Sequence, residues 1–369
     1  MLVSCKTNNE TAKVSLDEHE LLNEDSIELA DTYQWQAEIK NAVYPRVETE
    51  PVMADSDDDA ADDPAIWYNR SSPDQSIIFG SNKKGGLVAS DLSGKTIHYY
   101  EIGKVNNVDV LYDYKYQDAM VSILGCSNRT TQAVNLFVIE ASGNLVQLNH
   151  ESFTMDTSRI DDIYGFCFGR DKSNGKDYVF VNGKNGLMIQ YEILNEKNTV
   201  SLKKVRQVQF DSQTEGMVVD ENSGRLFVGE EDAGVWMLDV APDSDTQTFL
   251  DLSNEENPMI KFDIEGLTVL DQDSISWLIV SSQGNFTYAV FDLDQDNDYL
   301  TSFKIVGTDE IDGVEETDGI AVIGDSLSTK FPAGIFVAQD GFNYQKDSIT
   351  AQNFKYVDVR DIISSLKTK

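Results

Sequence analysis

Six times along its 369 residues the chain runs from a polar residue into a short apolar strand: DDPAIWY, NVDVLYD, IYGFCFG, TEGMVVD, IEGLTVL and TDGIAVI. The polar anchors are Asp63, Asp109, Tyr164, Glu215, Glu265 and Asp318, and successive anchors stand 46, 55, 51, 50 and 53 residues apart. After each comes a second strand with a polar end (IIFGSNKK, SILGCSNR, YVFVNGK, LFVGEED, LIVSSQG, IFVAQDG), and most units add a third, such as LMIQYEI or VWMLDV. Repeats of about 50 residues holding three or four short strands are the pattern of propeller blades, each of which buries its faces only against its neighbours. The chain is therefore expected to be all-β, a six-bladed β-propeller over residues 44–369. Innermost strands of such blades surround the axis, so a residue at the same place in every unit falls on a ring around the central channel. A repeated tight position favours glycine, serine or apolar residues. Here it is acidic in five units and tyrosine in one, which marks a functional ring.

Residues 1–43 form an acidic N-terminal extension. Most of it is polar, with helix-like stretches within SLDEHELLNEDSIELADTYQWQAEI, and it is expected to lie outside the blades as a tether, short helix or arm. Leu2-Val3-Ser4-Cys5 resembles the lipobox of a bacterial lipoprotein, which would place a lipid anchor at Cys5 and the protein in a secreted, periplasmic or cell-surface setting. Cys126 and Cys167 lie within apolar runs and read as core thiols. With three cysteines and no CxxC pair, neither a disulfide framework nor a zinc-thiolate site is expected. No stretch approaches the roughly 20 apolar residues of a membrane span.

Charge limits the partners. Sixty-four acidic and 29 basic residues give a net charge of −35, which argues against nucleic acid or an anionic membrane, since both need a basic footprint. The expected partner is a small molecule, and the expected state a monomer. Much of the acidity reads as a solvated surface. Around the ring it does not, because Asp62, Asp263, Glu230, Glu231 and Asp312 flank the anchors. Carboxylates gathered at one channel repel each other, and burial raises their pKa values unless cations neutralise them. Oxygen-only ligands suit a hard cation, calcium above all. Zinc or copper would call for histidine or cysteine, and His19, His98 and His150 stand apart from every anchor.

Basic residues close several second strands: Lys83 and Lys84, Arg129, and Lys184. Either they make structural salt bridges to the ring, or they bind a polyanion jointly with calcium. The chain lacks a P-loop, RHGxRxP, HCxxGxxR and G-x-S-x-G, so phosphohistidine, phosphocysteine and acyl-serine routes have no residues to carry them. Direct attack by a metal-bound water or hydroxide on a clamped phosphoryl group is the remaining route, with activity expected at neutral to alkaline pH. DLDQDND at 292–298 imitates an EF-hand start, but Asn297 and Phe303 occupy the places of the required glycine and glutamate, so a hairpin turn is expected. DSDDDAADD at 55–63 reads as a linker running into the first blade at Asp62 and Asp63.

At these residues the sequence resembles the β-propeller phytases, an alkaline, calcium-dependent family. The matching stretches include ETEPV at 48–52, DAADDPAIW at 59–67, NKK at 82–84, SNR at 127–129, YGF at 164–166, GK at 183–184 and SQTEGM at 212–217. They continue with EED at 230–232, DIEGLT at 263–268, SSQGN at 281–285, TDGI at 317–320, AQDG at 338–341 and QNFK at 352–355. The resemblance implies a 3-phytase that hydrolyses myo-inositol hexakisphosphate as its calcium complex, with a cleavage and an affinity phosphate site and several calcium ions. It implies phosphate contacts from Lys83, Arg129, Tyr164 and Lys184, with Lys84 beside them. It assigns the calcium cluster and attacking water to Asp63, Glu215, Glu231, Asp263, Glu265, Gln283, Asp312 and Asp318, and a structural calcium site to Glu48. Blade register adds Asp62 and Asp109. Gly85-Gly86 after the lysine pair, and the short TTQAVNLF after Arg129, depart from the family pattern.

Overall fold

In a computed structural model, which describes residues 27–148, 152–196, 199–272, 275–346 and 348–367, the repeats form six antiparallel sheets around one axis. Their innermost strands are Ala61–Trp67, Val105–Tyr116, Ile163–Asp171, Thr214–Asp220, Ile264–Gln272 and Ile320–Ile323. We number the blades 1 to 6 in that order. The second strands of blades 1 and 6, Ile77–Asn82 and Ile335–Asp340, are buried along their whole length, and those of blades 2 to 5 are buried toward their C-terminal ends, as strands covered on both faces must be. The cores lie between blades: Phe166, Phe168 and Val179 of blade 3 pack with Ile123, Val134 and Leu136 of blade 2. Cys126 and Cys167 are buried and free.

The circle is closed by the N-terminal part of the chain. Val47–Glu48 is the outermost strand of blade 6, antiparallel to Asn353–Asp358. Arg46 adds ion pairs at 2.8 Å to Asp358 and to Asp361 of the C-terminal helix Val359–Lys367. Asn41–Val43 runs parallel to Asp298–Ile305 as a fifth strand of blade 5. The chain thus joins the sheets at Asn41, ahead of the boundary at 44, and a helix over 27–38 precedes it. Cys5, His19 and His150 lie outside the described residues, while His98 is exposed on an outer strand of blade 1. Asp292 and Asp298 pair across the hairpin expected there. Among the described residues no helix is long and apolar enough to cross a membrane.

Every innermost strand of blades 1 to 5 carries a two-residue irregularity near its start: Asp62-Asp63, Asn106-Asn107, Tyr164-Gly165, Glu215-Gly216 and Glu265-Gly266. Blade 6 places Asp318-Gly319 just before its strand. Such bulges aim one side chain out of the sheet and leave a backbone N–H without its ladder partner. In blades 1, 2, 3 and 6 the polar ends of the second strands satisfy the free N–H. Ser81 Oγ accepts from Asp63 N at 2.8 Å, Ser127 Oγ from Asn107 N at 3.1 Å and Asn182 Oδ1 from Gly165 N at 2.7 Å; Gln339 Oε1 does the same for Asp318 N at 2.8 Å.

The second bulge residue touches the next blade. A Cβ on Gly165 would lie 2.1 Å from the Glu215 carbonyl, and one on Gly216 would lie 2.0 Å from the Glu265 carbonyl. Gly216→Ala is therefore expected to destabilise the protein by about 1–3 kcal/mol, the usual cost of forced overpacking. A urea titration checks it, and an unchanged midpoint would mean the blades can separate there freely.

Candidate active site

The bulges set the true register of the ring. Its members are Asp62, Asn106, Tyr164, Glu215, Glu265 and Asp318. Two of the anchors chosen by strand pattern are thereby corrected. Asp63 is the second bulge residue, and its Oδ2 accepts the Val108 N–H of blade 2 at 3.0 Å. Asp109 lies further along its strand, and its Oδ2 accepts the Phe168 N–H of blade 3 at 2.8 Å. Both carboxylates fasten one blade to the next. Asp109 lines a separate cavity of about 280 Å³ on the channel, beside Ala65, Leu111 and Phe168, where burial raises its pKa to about 7.

A second ring follows from a backbone bond shared by all six blades. The residue just after each second strand donates its N–H to a carbonyl that precedes the bulge: Lys83 to Ala60, Arg129 to Lys104, Lys184 to Asp161, Glu231 to Gln213, Gln283 to Asp263 and Gly341 to Glu315, at 2.7 to 3.0 Å. Equivalent positions are thus cationic in blades 1 to 3 and neutral or acidic in blades 4 to 6. The site is polarised across the axis.

On the acidic side lies a cup of about 370 Å³, lined by Tyr164, Glu215, Glu231, Asp263, Glu265, Gln283 and Asp318, with Lys83 reaching in. Glu215, Glu231 and Glu265 each bring a carboxylate oxygen within 4.8 Å of the others. Asn106 Nδ2 holds Glu215 Oε1 at 2.5 Å, and Gln283 Nε2 donates to Asp318 Oδ1. Burial first, and Glu215 second, raises the Glu265 pKa well above the carboxylate range. The same pair of causes brings Glu231 to about 8. For Asp62 and Asp318, burial is only partly offset by Lys83. Asp318 reaches about 7. Asp62 Oδ2 is buried with no hydrogen-bond partner.

On the basic side a cleft of about 360 Å³ is lined by Lys83, Lys84, Lys104, Arg129, Asp59 and Asp162. Burial opposes the charge of Lys83, but Asp62, Asp318 and Asp59 outweigh it and hold the ammonium protonated; its Nζ is 2.6 Å from Asp59 and 3.4 Å from Asp318. Lys84 pairs with Asp58 at 2.6 Å and Arg129 with Asp162 at 2.5 Å. Tyr164 stands between the two sides. Arg129 and Lys184 lie over its ring, 5.5 and 4.6 Å from the centroid, and the Glu215 charge, then burial, keeps its hydroxyl protonated.

Two expected ligands sit elsewhere. Glu48 and Asp312 converge with Asp340 on Lys355, which is fully buried: Glu48 Oε2 is 2.7 Å and Asp340 Oδ2 3.1 Å from Nζ, and Asp312 Oδ1 accepts from it as well. Glu230 accepts from Ser212 and from Trp236 Nε1 outside the cup. Strand pattern missed Asn106, Asp59, Gln213 and Glu316, which hold or line the site. Asn106 was recoverable: it stands two residues before the apolar Val108, as Glu215 stands before Met217.

A family model described as Phytase matches residues 14–369. A 3-phytase of Bacillus subtilis strain 168 is 39% identical over 329 residues, which is 88% of this chain and 85% of that protein. Among solved structures, a functionally unknown protein from Desulfotomaculum acetoxidans aligns over 65% of this chain and 70% of its own at 14% identity and TM-score 0.43. A complex of BBS1N with ARL6DN aligns over 79% and 77% at 11% and 0.44. Those two likenesses are too distant to carry an argument.

Proposed function

The chain belongs to the phytase family and is a 3-phytase, and we propose that it releases phosphate from phytate, taken as its calcium complex, at the polarised cup with calcium as cofactor. The observation that carries this reading is the split of one backbone-defined ring into Lys83, Arg129 and Lys184 on one side and Glu231 and Gln283 on the other. A substrate rich in phosphates needs cations to bind it, and a metal needs acceptors to hold it; here the two sets face one another across Tyr164.

The residues fit a hard divalent cation. Their donors are all oxygen, three carboxylate oxygens already converge, and Asp62 Oδ2 is buried without a hydrogen-bond partner. Asp62, Glu215, Glu231, Asp263, Glu265, Gln283 and Asp318 would hold calcium. When bound, calcium supplies positive charge that relieves carboxylate repulsion, draws in phosphoryl oxygens and makes water more acidic. Asp63 and Asp109 each give a carboxylate oxygen to an inter-blade N–H and do not line the cup, so they are not assigned to its cation. Glu48 and Asp312 act instead on Lys355.

The chain's own side chains do the positioning. Lys83 reaches both the cup and the cleft, so it can bind the phosphate to be cleaved. Arg129 and Lys184 meet phosphate beside it, and Asp162 fixes the Arg129 plane in a charge-assisted pair. Tyr164 Oη, held protonated, donates to a phosphoryl oxygen. Asn106 fixes the orientation of Glu215. Lys83, Lys84 and Arg129 are salt-bridged to Asp59, Asp58 and Asp162; a polyanion would compete for them. The cationic cleft beside the cup favours substrates with two neighbouring phosphates, such as phytate, over single-phosphate esters.

A substrate panel tests this. Phytate should be turned over with far higher kcat/KM than p-nitrophenyl phosphate. Arg129→Ala should lower kcat/KM for phytate about 10- to 100-fold, the value of a charged hydrogen bond lost, and change the single-phosphate ester much less. Equal losses on both substrates would contradict a paired-phosphate site. The chain's residence outside the cytoplasm, with a lipid anchor at Cys5, belongs to the same proposal; metabolic labelling with a fatty acid, lost in Cys5→Ser, checks it.

A further inference from the structure

The helix over 27–38 has no place in the blade repeat, yet it touches each of three loops that carry the acidic wall of the cup. Tyr33 donates its hydroxyl to Glu315 Oε2 at 2.9 Å, next to Glu316, which lines the cup. Its ring stands edge-on to Phe286 with centroids 5.9 Å apart, and Gln36 Nε2 donates to the Phe286 carbonyl at 3.3 Å. Phe286 ends the turn Gln283–Asn285, whose first residue reaches Asp318. The Trp35 ring lies 5.2 Å from Lys261 Nζ, two residues before Asp263. The two outer loops are themselves joined, since Gln283 N donates to the Asp263 carbonyl at 2.9 Å.

We propose that residues 27–38 are a strap that positions Asp263, Gln283 and Glu316, with Tyr33 and Trp35 as its positioning residues. The inference rests on the calcium reading of the cup given above. Simple packing explains the contacts poorly. Tyr33 and Trp35 are 38% and 39% exposed, so each buries far less apolar surface than a core aromatic. Their polar and ring contacts fall within three residues of cup-lining groups in all three loops. Groups that orient metal-holding residues from behind commonly change metal affinity about 10- to 100-fold when removed.

The test uses the full chain. Tyr33→Ala/Trp35→Ala is compared with wild type, with Trp35→Phe, which keeps a ring face for Lys261, and with Leu202→Ala in the outer strand of blade 3. The readouts are the calcium concentration that gives half of the thermal shift, and KM and kcat for phytate. The strap predicts a calcium midpoint raised about tenfold in the double variant, with KM raised too. Trp35→Phe should lie near wild type, and Leu202→Ala should lower Tm without moving the midpoint. A double variant that loses Tm but keeps its midpoint and KM would reduce the helix to packing and overturn the proposal. If wild type shows no calcium shift at all, the calcium reading fails, and KM decides the strap: unchanged KM in the double variant overturns it.

Discussion

Glu215→Gln is expected to cost phytate turnover about 100-fold or more, the scale seen when a group that acts on the transition state is removed, while raising the melting temperature of the calcium-free protein. The two effects have one cause. Glu215 is the carboxylate that most of the site feels: its charge contributes to the raised pKa values of Glu231, Glu265, Asp318 and Asp62, and it heads the causes acting on Tyr164. Glutamine keeps the shape and can still accept from Asn106, but removes a negative charge from a buried cluster. Without calcium that relieves repulsion. With calcium it deletes a ligand. Turnover in saturating calcium and melting in chelator separate the two, and retained turnover, or a lowered calcium-free Tm, would contradict this role.

Calcium removal should have the second large effect, and its size should depend on pH. Burial and neighbouring carboxylates raise Glu231 to about 8 and Asp318 to about 7, and burial with the charges of Glu215 and Asp318 raises Asp62 and Glu265 well above the carboxylate range. Carboxyl groups in an unfolded chain titrate near 4. Between those limits the folded state holds more protons than the unfolded state, so stability of the calcium-free protein falls as pH rises. Calcium binds the ionised groups, and a ligand bound only by the native state stabilises it by mass action. The difference in Tm between calcium and chelator should therefore be small near pH 5 and widen steadily to pH 8. A difference independent of pH would mean that calcium acts at some site other than these carboxylates.

The six-fold repeat and the chemistry of its ring were legible in the sequence because blades repeat strand and turn at a near-constant interval. The exact ring members were not. A bulge adds a residue without changing the apolar pattern, so Asp62 and Asp63, adjacent and identical, cannot be told apart by strand periodicity. Asn106 was hidden by the more conspicuous Asp109 in the same strand. Glu48 and Asp312 look like ligands in sequence, but only the fold shows Lys355, brought from the far end of the chain, between them. The cations at 83, 129 and 184 were visible as strand-end residues. Their opposition to Glu231 and Gln283 depends on closure of the circle, which is settled by Val47–Glu48 pairing with Asn353–Asp358. The strap formed by residues 27–38 carries none of the blade repeat, and its meaning lies in what it touches.

The acidic half of the ring should work only when loaded with calcium, for a substrate held by the basic half. Phosphate release from phytate, followed in calcium, then in excess chelator, then after calcium is restored, is the decisive measurement. Release should stop with chelator and return with calcium, and in Glu215→Gln it should run at about one-hundredth of the wild-type rate or less even with calcium present. Undiminished release in chelator would contradict this calcium requirement.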